Sequence, residues 1–351
     1  MRLIADPAAG DAPDFRTVYA YLSPCNKFFG QVALAADGAI LAPAGCPISN
    51  WVASADEMLL KNASGGPEAR LYRAGPAWLG RLEAQRLPVG LIPILSLPPA
   101  QTLSARRPIL INATLNSGTY LAERWLSELG WAPTRLHLLT DGAIDDYRHA
   151  PDAEILAHPT RRRIHCRFGA LAAILGPGDL LVGHLPAEAD SAPFHNANVL
   201  QILIQRDLRE ILANLYSFKL ARVPPISPAD ALWRSIPDPK SQFAAFLAFF
   251  ADRDIAMLRR HATLFGEKNA FAYEDLVKGE LPPRLAADIA GYAGVSEPEV
   301  AAALTRALAA DTPVRTHQPH LSWDDVASPQ AQNFFKAAGL AAINRNLGYL
   351  S

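Results

Sequence analysis

Two patterns of apolar and polar positions divide the chain. Over residues 1–95, short apolar runs alternate with turn residues. "RTVYAYLS" reads as a strand, and "FFGQVALAADGAILAPAG" reads as two strands around an Asp37-Gly38 turn. "PVGLIPILSL" is a further apolar run, interrupted by Pro93. This pattern predicts a small β-rich or α+β unit of unknown role, with Trp51 and Trp78 as core aromatics rather than, with the arginines around them, a partner-facing surface. The Pro-, Ser- and Arg-rich stretch 96–107 reads as a linker. From residue 108 onward the period switches between strand and helix. "ILINA", "DLLVGHLP" and "NVLQILIQR" are short buried-strand candidates. "TYLAERWLSELG", closed by Gly130, and "LREILANLYSFKLA" are helical, and "SQFAAFLAFFADRDIAMLRRHATLF" reads as one long helix. "NAFAYEDL" reads as a strand running into a loop. This alternation predicts an α/β domain over 108–351, with a mainly parallel sheet flanked by helices.

Composition adds limits to this picture. The 351 residues are 50% hydrophobic and 19% charged, with a formal net charge of -1. Such a chain has length for one large domain or for two. It has no global field that would draw nucleic acid or an anionic membrane, so any anion site must be local. No apolar run reaches the roughly 18 residues of a membrane helix, and the N-terminus has no secretory h-region. A cytoplasmic protein without an integral membrane segment is therefore expected. Cys25, Cys46 and Cys166 form no metal-like cluster and read as reduced thiols rather than as a Cys25–Cys46 bridge.

The chemistry concentrates in "PILINATLNSGTYLAERW", residues 108–125. A strand, a short Asn/Ser/Gly loop and a helix in that order place free N–H groups and the positive end of a helix dipole around one point. The stretch departs from the nucleotide-triphosphatase pattern: Ala113 stands for the first Gly, Thr119 for the Lys and Tyr120 for the magnesium-binding hydroxyl. ATP or GTP hydrolysis is not expected. Taken alone, "NSGT" also fits an ordinary polar helix cap. A second segment, "LQILIQRDLREILANLYSFK", puts Arg206 at the C-terminal end of a strand, the edge where ligands of open α/β sheets collect. A guanidinium there can fork onto a phosphate, or it can pair with Asp207 or Glu210.

Together these segments resemble the PAPS-dependent sulfotransferase family. "LNSGTYL" is similar to the family's 5'-phosphosulfate loop PKSGTTW, and "RDLREILANLY" to its 3'-phosphate segment RDPRDxxxSxY. "LLVGHLP", "AYEDL" and "NLGYL" follow in family order. The resemblance spans about residues 108–351. It implies a P-loop-like sulfotransferase fold and transfer of a sulfuryl group from PAPS (3'-phosphoadenosine 5'-phosphosulfate) to a hydroxyl or amine of a small molecule or glycan, without a metal. It assigns Ser117, Gly118 and Thr119, with Tyr120 beside them, to the phosphosulfate cradle. Arg206 and Asn214 fall to the 3'-phosphate, Tyr273 to the adenosine, and His184 to the general base. Asn116 occupies the place of the lysine that stabilises the bridging oxygen. A neutral amide there leaves a second reading open: a catalytically impaired PAP- or PAPS-binding protein acting as sensor or partner subunit. A homodimer is compatible with either. Two further basic features are weaker: Arg315, in "VRTHQPHLSWDD", as a 3'-phosphate contact, and "HPTRRRIHCR", which serves an anionic acceptor or is a solvated helix start.

Overall fold

The computed structural model describes residues 15–23, 28–54, 56–98, 106–151, 154–155, 162–186, 188–222, 225, 227–249, 252–267, 270–310 and 321–349. Cys25, Arg161, Arg315 and residues 99–105 of the expected linker lie outside these. The chain forms two compact units, one of residues 1–102 with 165–177, the other of residues 103–164 with 178–351.

The first unit is built on β1 (Thr17–Ser23), β2 (Phe28–Leu34), β3 (Ile40–Leu41), β4 (Asn50–Ala53), β5 (Glu57–Lys61), β6 (Pro67–Ala74), β7 (Ala77–Leu82) and β8 (Pro88–Ser96). They form one antiparallel sheet in the order β3-β2-β1-β8-β7-β6-β5-β4. The two ends of that order meet. Ala39 bridges Asn50, and Trp51 N–H donates to the Gly38 carbonyl at 2.8 Å. The strands therefore close in simple up-and-down succession, which removes the exposed edges an open sheet would leave. The interior is filled, among others, by Tyr21, Val32, Met58, Leu60, Leu71, Trp78 and Leu91, as a barrel of this size allows. The Asp37-Gly38 turn forms, with Gly38 at φ 88°. Pro93 does not cut β8. The register slips beside it, Val18 facing Leu95 and Tyr19 facing Pro93, so the strand bulges at Ile94, next to the residue that cannot donate to the ladder.

Residues 165–177 pack with this unit. Gln31 Nε2 donates to the His165 carbonyl at 2.9 Å, and Arg167 N–H donates to Gln31 Oε1 at 2.6 Å.

The second unit carries β9 (Ile109–Ala113), β10 (Ala132–Leu138), β11 (Ala143–Asp146), β12 (Arg163–His165), β13 (Asp179–Gly183), β14 (Leu200–Gln205) and β15 (Phe271–Ala272). Their order is β12-β11-β10-β13-β9-β14-β15. From β10 through β15 every neighbouring pair runs parallel, whereas β11 returns antiparallel to β10. The sheet is thus parallel where the loop candidate sits and mixed at its far side. One face carries Ile109, Ile111, Val182, Ile202 and Ile204, covered by Ala122, Trp125 and Leu126 of the helix Thr119–Glu128. Each buried aliphatic chain contributes about 1.5–3 kcal/mol. Trp125 also donates Nε1–H to the Val300 carbonyl at 3.1 Å, which ties that helix to Glu297–Ala309.

Several elements differ from the sequence pattern. The expected long helix is described over Pro239–Phe249 and Asp252–Glu267, and residues 250–251 of that stretch lie outside the described residues. "YEDL" opens a helix, Tyr273–Lys278, rather than a loop. "RIH" of the basic cluster is strand β12, and Arg167 at the cluster's end is the N-cap of the helix Phe168–Ala173. No described helix is long and apolar enough to cross a membrane.

On the other helix-covered side, His261 of Asp252–Glu267 is fully buried. Burial, and then the neighbouring His184, push its imidazole down to about 3. It is therefore neutral in the fold, while the unfolded chain takes up a proton near pH 6.5. Stability is fully present above about 6.5 and falls as pH drops toward 3, by up to about 1.4 kcal/mol per pH unit. Urea unfolding at pH 7.5 and 5.0 should show this loss, and His261→Leu should remove a large part of it. An equal loss in the variant would place the acid sensitivity elsewhere.

Candidate active site

The loop after β9 owes its shape to two left-handed residues, Asn116 at φ 53° and Gly118 at φ 73°. Asn tolerates that region better than most side chains, and Gly adopts it freely. Gly118 has a second reason to lack a side chain: a Cβ there would lie 2.4 Å from Cε2 of Tyr273. Among the described residues, the N–H groups of Asn116, Ser117, Gly118 and Thr119 meet no acceptor. No side chain caps the helix Thr119–Glu128 and no acidic residue sits in its first turn. The helix dipole and these free donors therefore act on the same spot, the requirement for holding an oxyanion.

The hydroxyl of Ser117 turns inward. It bonds Thr114 Oγ1 and donates to the Leu115 carbonyl at 3.2 Å, bracing the loop from beneath. Ser117 thus offers its backbone N–H rather than its hydroxyl. Thr119 is buried at the helix start.

Arg206 reaches the same loop. Ile204 of β14 pairs with Ala113 of β9 in parallel register, so β14 runs out beside the loop and releases Arg206 there. Its Nη1 donates to the Asn116 carbonyl at 2.8 Å. Its guanidinium carbon lies 4.6 Å from the ring centre of Tyr273, a cation–π contact. Glu210 is at the outer limit of an ion pair, 4.0 Å. Arg206 is only 8% exposed, yet its Nε has no partner, and neither does the buried Nδ2 of Asn116. Two buried donors left open beside four open N–H groups form a cluster short of acceptors, and an anion supplies them.

A set of buried polar contacts holds these pieces in place. Asn344 donates to Asp207 Oδ1 at 3.0 Å and accepts from Leu208 N–H at 2.9 Å. Asp207 N–H donates to Glu274 at 3.3 Å, and Tyr349 Oη donates to Glu274 Oε2 at 2.8 Å. Burial, with Glu274 next, pushes the Tyr349 phenol up, so it remains the donor. Asn344 of the helix Leu340–Asn346, and Tyr349 just after it, thus brace the back of Arg206 and Tyr273.

His184 follows β13, whose residues pair with β9. Its Nδ1 lies 2.8 Å from the Ala113 carbonyl. A carbonyl only accepts, so Nδ1 carries the proton and Nε2 keeps its lone pair. Burial holds the imidazole below the ordinary histidine value, against weaker pulls from the Ala113 carbonyl and Asp145. Asn112 keeps this segment against β9: its Nδ2 donates to the Leu185 carbonyl at 3.0 Å and its Oδ1 accepts from Leu185 N–H at 2.8 Å.

The other expected residues lie apart from the loop mouth. Tyr120 packs against the strand–helix core and places its hydroxyl 2.8 Å from His137 Nδ1. Asn214 donates to the Glu210 carbonyl of its own helix at 2.7 Å. In the basic cluster, Arg162 pairs with Glu154 at 3.2 Å, Arg163 with Asp145 at 2.8 Å, and Arg167 Nη1 donates to the Gln31 carbonyl at 3.4 Å. These side chains are engaged in the fold. No group of metal-ligating side chains occurs among the described residues.

Sequence reasoning missed Asn112 and His137. A polar residue inside the apolar run "ILINA" was the signal for the first. The second lies in β10, a strand the apolar pattern did not mark.

No family model matches the chain, and no curated protein does. Several solved structures are similar to it. A crystal structure of mouse sulfotransferase SULT7A1 complexed with PAP matches at TM-score 0.40 and 13% identity, covering 70% of this chain and 88% of that one. Retinol dehydratase with androsterone and inactive cofactor PAP matches at 0.35 and 14%, covering 70% and 81%. Retinol dehydratase with retinol and PAP matches at 0.34 and 15%, covering 84% and 91%. Scores this low carry no residue role from those proteins to this chain.

Proposed function

We propose that the second unit, with a P-loop-like sulfotransferase fold, binds PAPS and moves its sulfuryl group to a hydroxyl or amine of a small molecule or glycan, releasing PAP. The supporting observation is the convergence of the 116–119 N–H groups, the open Nδ2 of Asn116 and the open Nε of Arg206 at the edge where His184 also stands. PAPS supplies the sulfuryl group and a phosphate leaving group. The N–H groups of Ser117, Gly118 and Thr119 hold its 5' anion, and Asn116 donates to the bridging oxygen. Arg206 takes the 3'-phosphate, with Asn214 behind it, and Tyr273 lies beside the adenosine. His184 Nε2 takes the proton of the acceptor as the new S–O or S–N bond forms, and the electron pair of the broken S–O bond goes to the phosphate.

A specific observation favours the second reading, a PAP-binding protein with weak or no transfer: the donor at the lysine's place is a neutral amide on a left-handed residue. Asn116→Gly keeps that backbone and removes only the amide. If Asn116 Nδ2 acts on the bridging oxygen, this variant should lose roughly five- to tenfold in turnover while PAP binding changes little, since a neutral hydrogen bond is worth about 1 kcal/mol. Unaltered turnover would remove Asn116 from the chemistry. The function itself is tested by PAP-dependent thermal stabilisation and by transfer of labelled sulfate from PAPS to a mixed panel of acceptors. Absence of stabilisation at millimolar PAP would defeat both readings. Stabilisation without transfer to any acceptor would leave the binding protein.

A further inference from the structure

His184 does not stand alone at the end of β13. In the parallel register of β10 and β13, His137 is opposite Val182 and Leu138 is opposite Gly183. The Leu138 carbonyl then accepts the His184 N–H at 2.9 Å. That register brings the two imidazoles into contact in a tilted arrangement, with ring centres 4.7 Å apart and planes inclined by 57°. His137 is 2% exposed. A histidine so deeply buried in a strand needs a reason, because an aliphatic residue would pack there without a polar atom to satisfy. Its Nδ1 is held by the Tyr120 hydroxyl, and its edge meets the Tyr147 ring at 6.5 Å.

We propose that His137, anchored by Tyr120, is a positioning residue for His184: its ring is the wall that keeps His184 Nδ1 on the Ala113 carbonyl and Nε2 open as the acceptor of the substrate proton. This rests on the reading of His184 as the base. The physical case is steric first. His184 is attached to the end of a strand by a side chain with two rotatable bonds, and its single described side-chain bond is the one to Ala113. Without a wall, rotation about the Cβ–Cγ bond would exchange Nδ1 for a carbon and release the tautomer. The case is also electrostatic. Two imidazolium rings this close inside a protein would repel, which disfavours a positive charge on both rings at once. The other titratable and charged groups facing the pair are Asp145 with its partners Arg163 and Tyr147, Tyr120 itself, and His261 from the helix Asp252–Glu267.

The test uses the full chain. In wild type, nitrogen-15 NMR should show His184 as a single Nδ1-protonated tautomer. His137→Ala should give a mixed tautomer, shift the acid limb of the pH–rate profile and lower kcat at least tenfold, with KM for PAPS and PAP stabilisation within twofold of wild type. His137→Phe, which restores a ring of similar size, should recover the single tautomer and most of kcat. If His137→Ala fails to fold, Tyr120→Phe removes only the anchor and should move tautomer and pH profile in the same direction by less. A His184 tautomer and pH profile unaltered in the variants would overturn the proposal and leave His137 a core residue. The NMR arm needs no acceptor, so failure to find transfer counts against the enzyme reading and not against the positioning of His184.

Discussion

Replacing Arg206 by Ala should abolish the stabilisation of this protein by PAP. Ligand at about 100 times Kd stabilises by about 2.7 kcal/mol, which for a unit of this size raises Tm by about 5–10 °C. A guanidinium forked on a phosphate makes two charge-assisted bonds, each worth about 1.5–3 kcal/mol, so its loss weakens binding by roughly a hundredfold or more. At the same PAP concentration the variant should then shift by about 1 °C. The apo protein should be little affected. Arg206 already leaves Nε unsatisfied in a buried position, and removing it relieves that cost while losing one bond to Asn116 and the stack on Tyr273. Arg206→Lys retains the charge without the fork and should fall between. Thermal melts of the three proteins with and without PAP decide this. A full shift in the alanine variant would move the 3'-phosphate away from Arg206 and dissolve the loop's link with β14.

The second large effect is expected at His184. His184→Asn keeps an N–H close to the Ala113 carbonyl, by placing its amide where Nδ1 was, but offers no base. Sulfate transfer should drop by about 10²–10⁴, the usual weight of a general base, while PAP stabilisation persists. His184→Ala should lose as much or more. Because burial holds the imidazole below its ordinary value, wild-type kcat/KM should stay on its plateau to a pH below the ordinary 6.5 before its acid limb falls. A transfer rate that survives in both variants would remove the base role. A rate lost together with PAP stabilisation would mean that His184 supports the loop through Ala113 instead of acting on the acceptor.

What the order of residues determined by itself was local. The Asp37-Gly38 turn, the strand "ILINA", the loop with its obligatory glycine and the helix that follows were all legible, because each depends on neighbours in sequence and on the alternation of apolar positions. So was the departure at Asn116, although its reason was not. The residue is Asn in a left-handed conformation that a lysine would adopt less readily, a fact of backbone angles that composition does not carry. The tertiary structure alone decided the rest. The closing of eight strands on themselves requires Ala39 to meet Asn50, a pairing of edges that no local pattern specifies. Arg206 and Gly118 share Tyr273 as a common neighbour only because β9, β14 and β15 lie side by side. Tyr120 and Asn214 answered to the partners the fold gave them, His137 and the Glu210 carbonyl. His137 itself was invisible in the sequence because "RLHLLTDGAIDD" breaks the apolar pattern with polar residues whose partners come from elsewhere. Asp145 meets Arg163, and His137 meets Tyr120 and His184. A buried polar residue is paid for by contacts distant in sequence, and those exist only once the chain has folded.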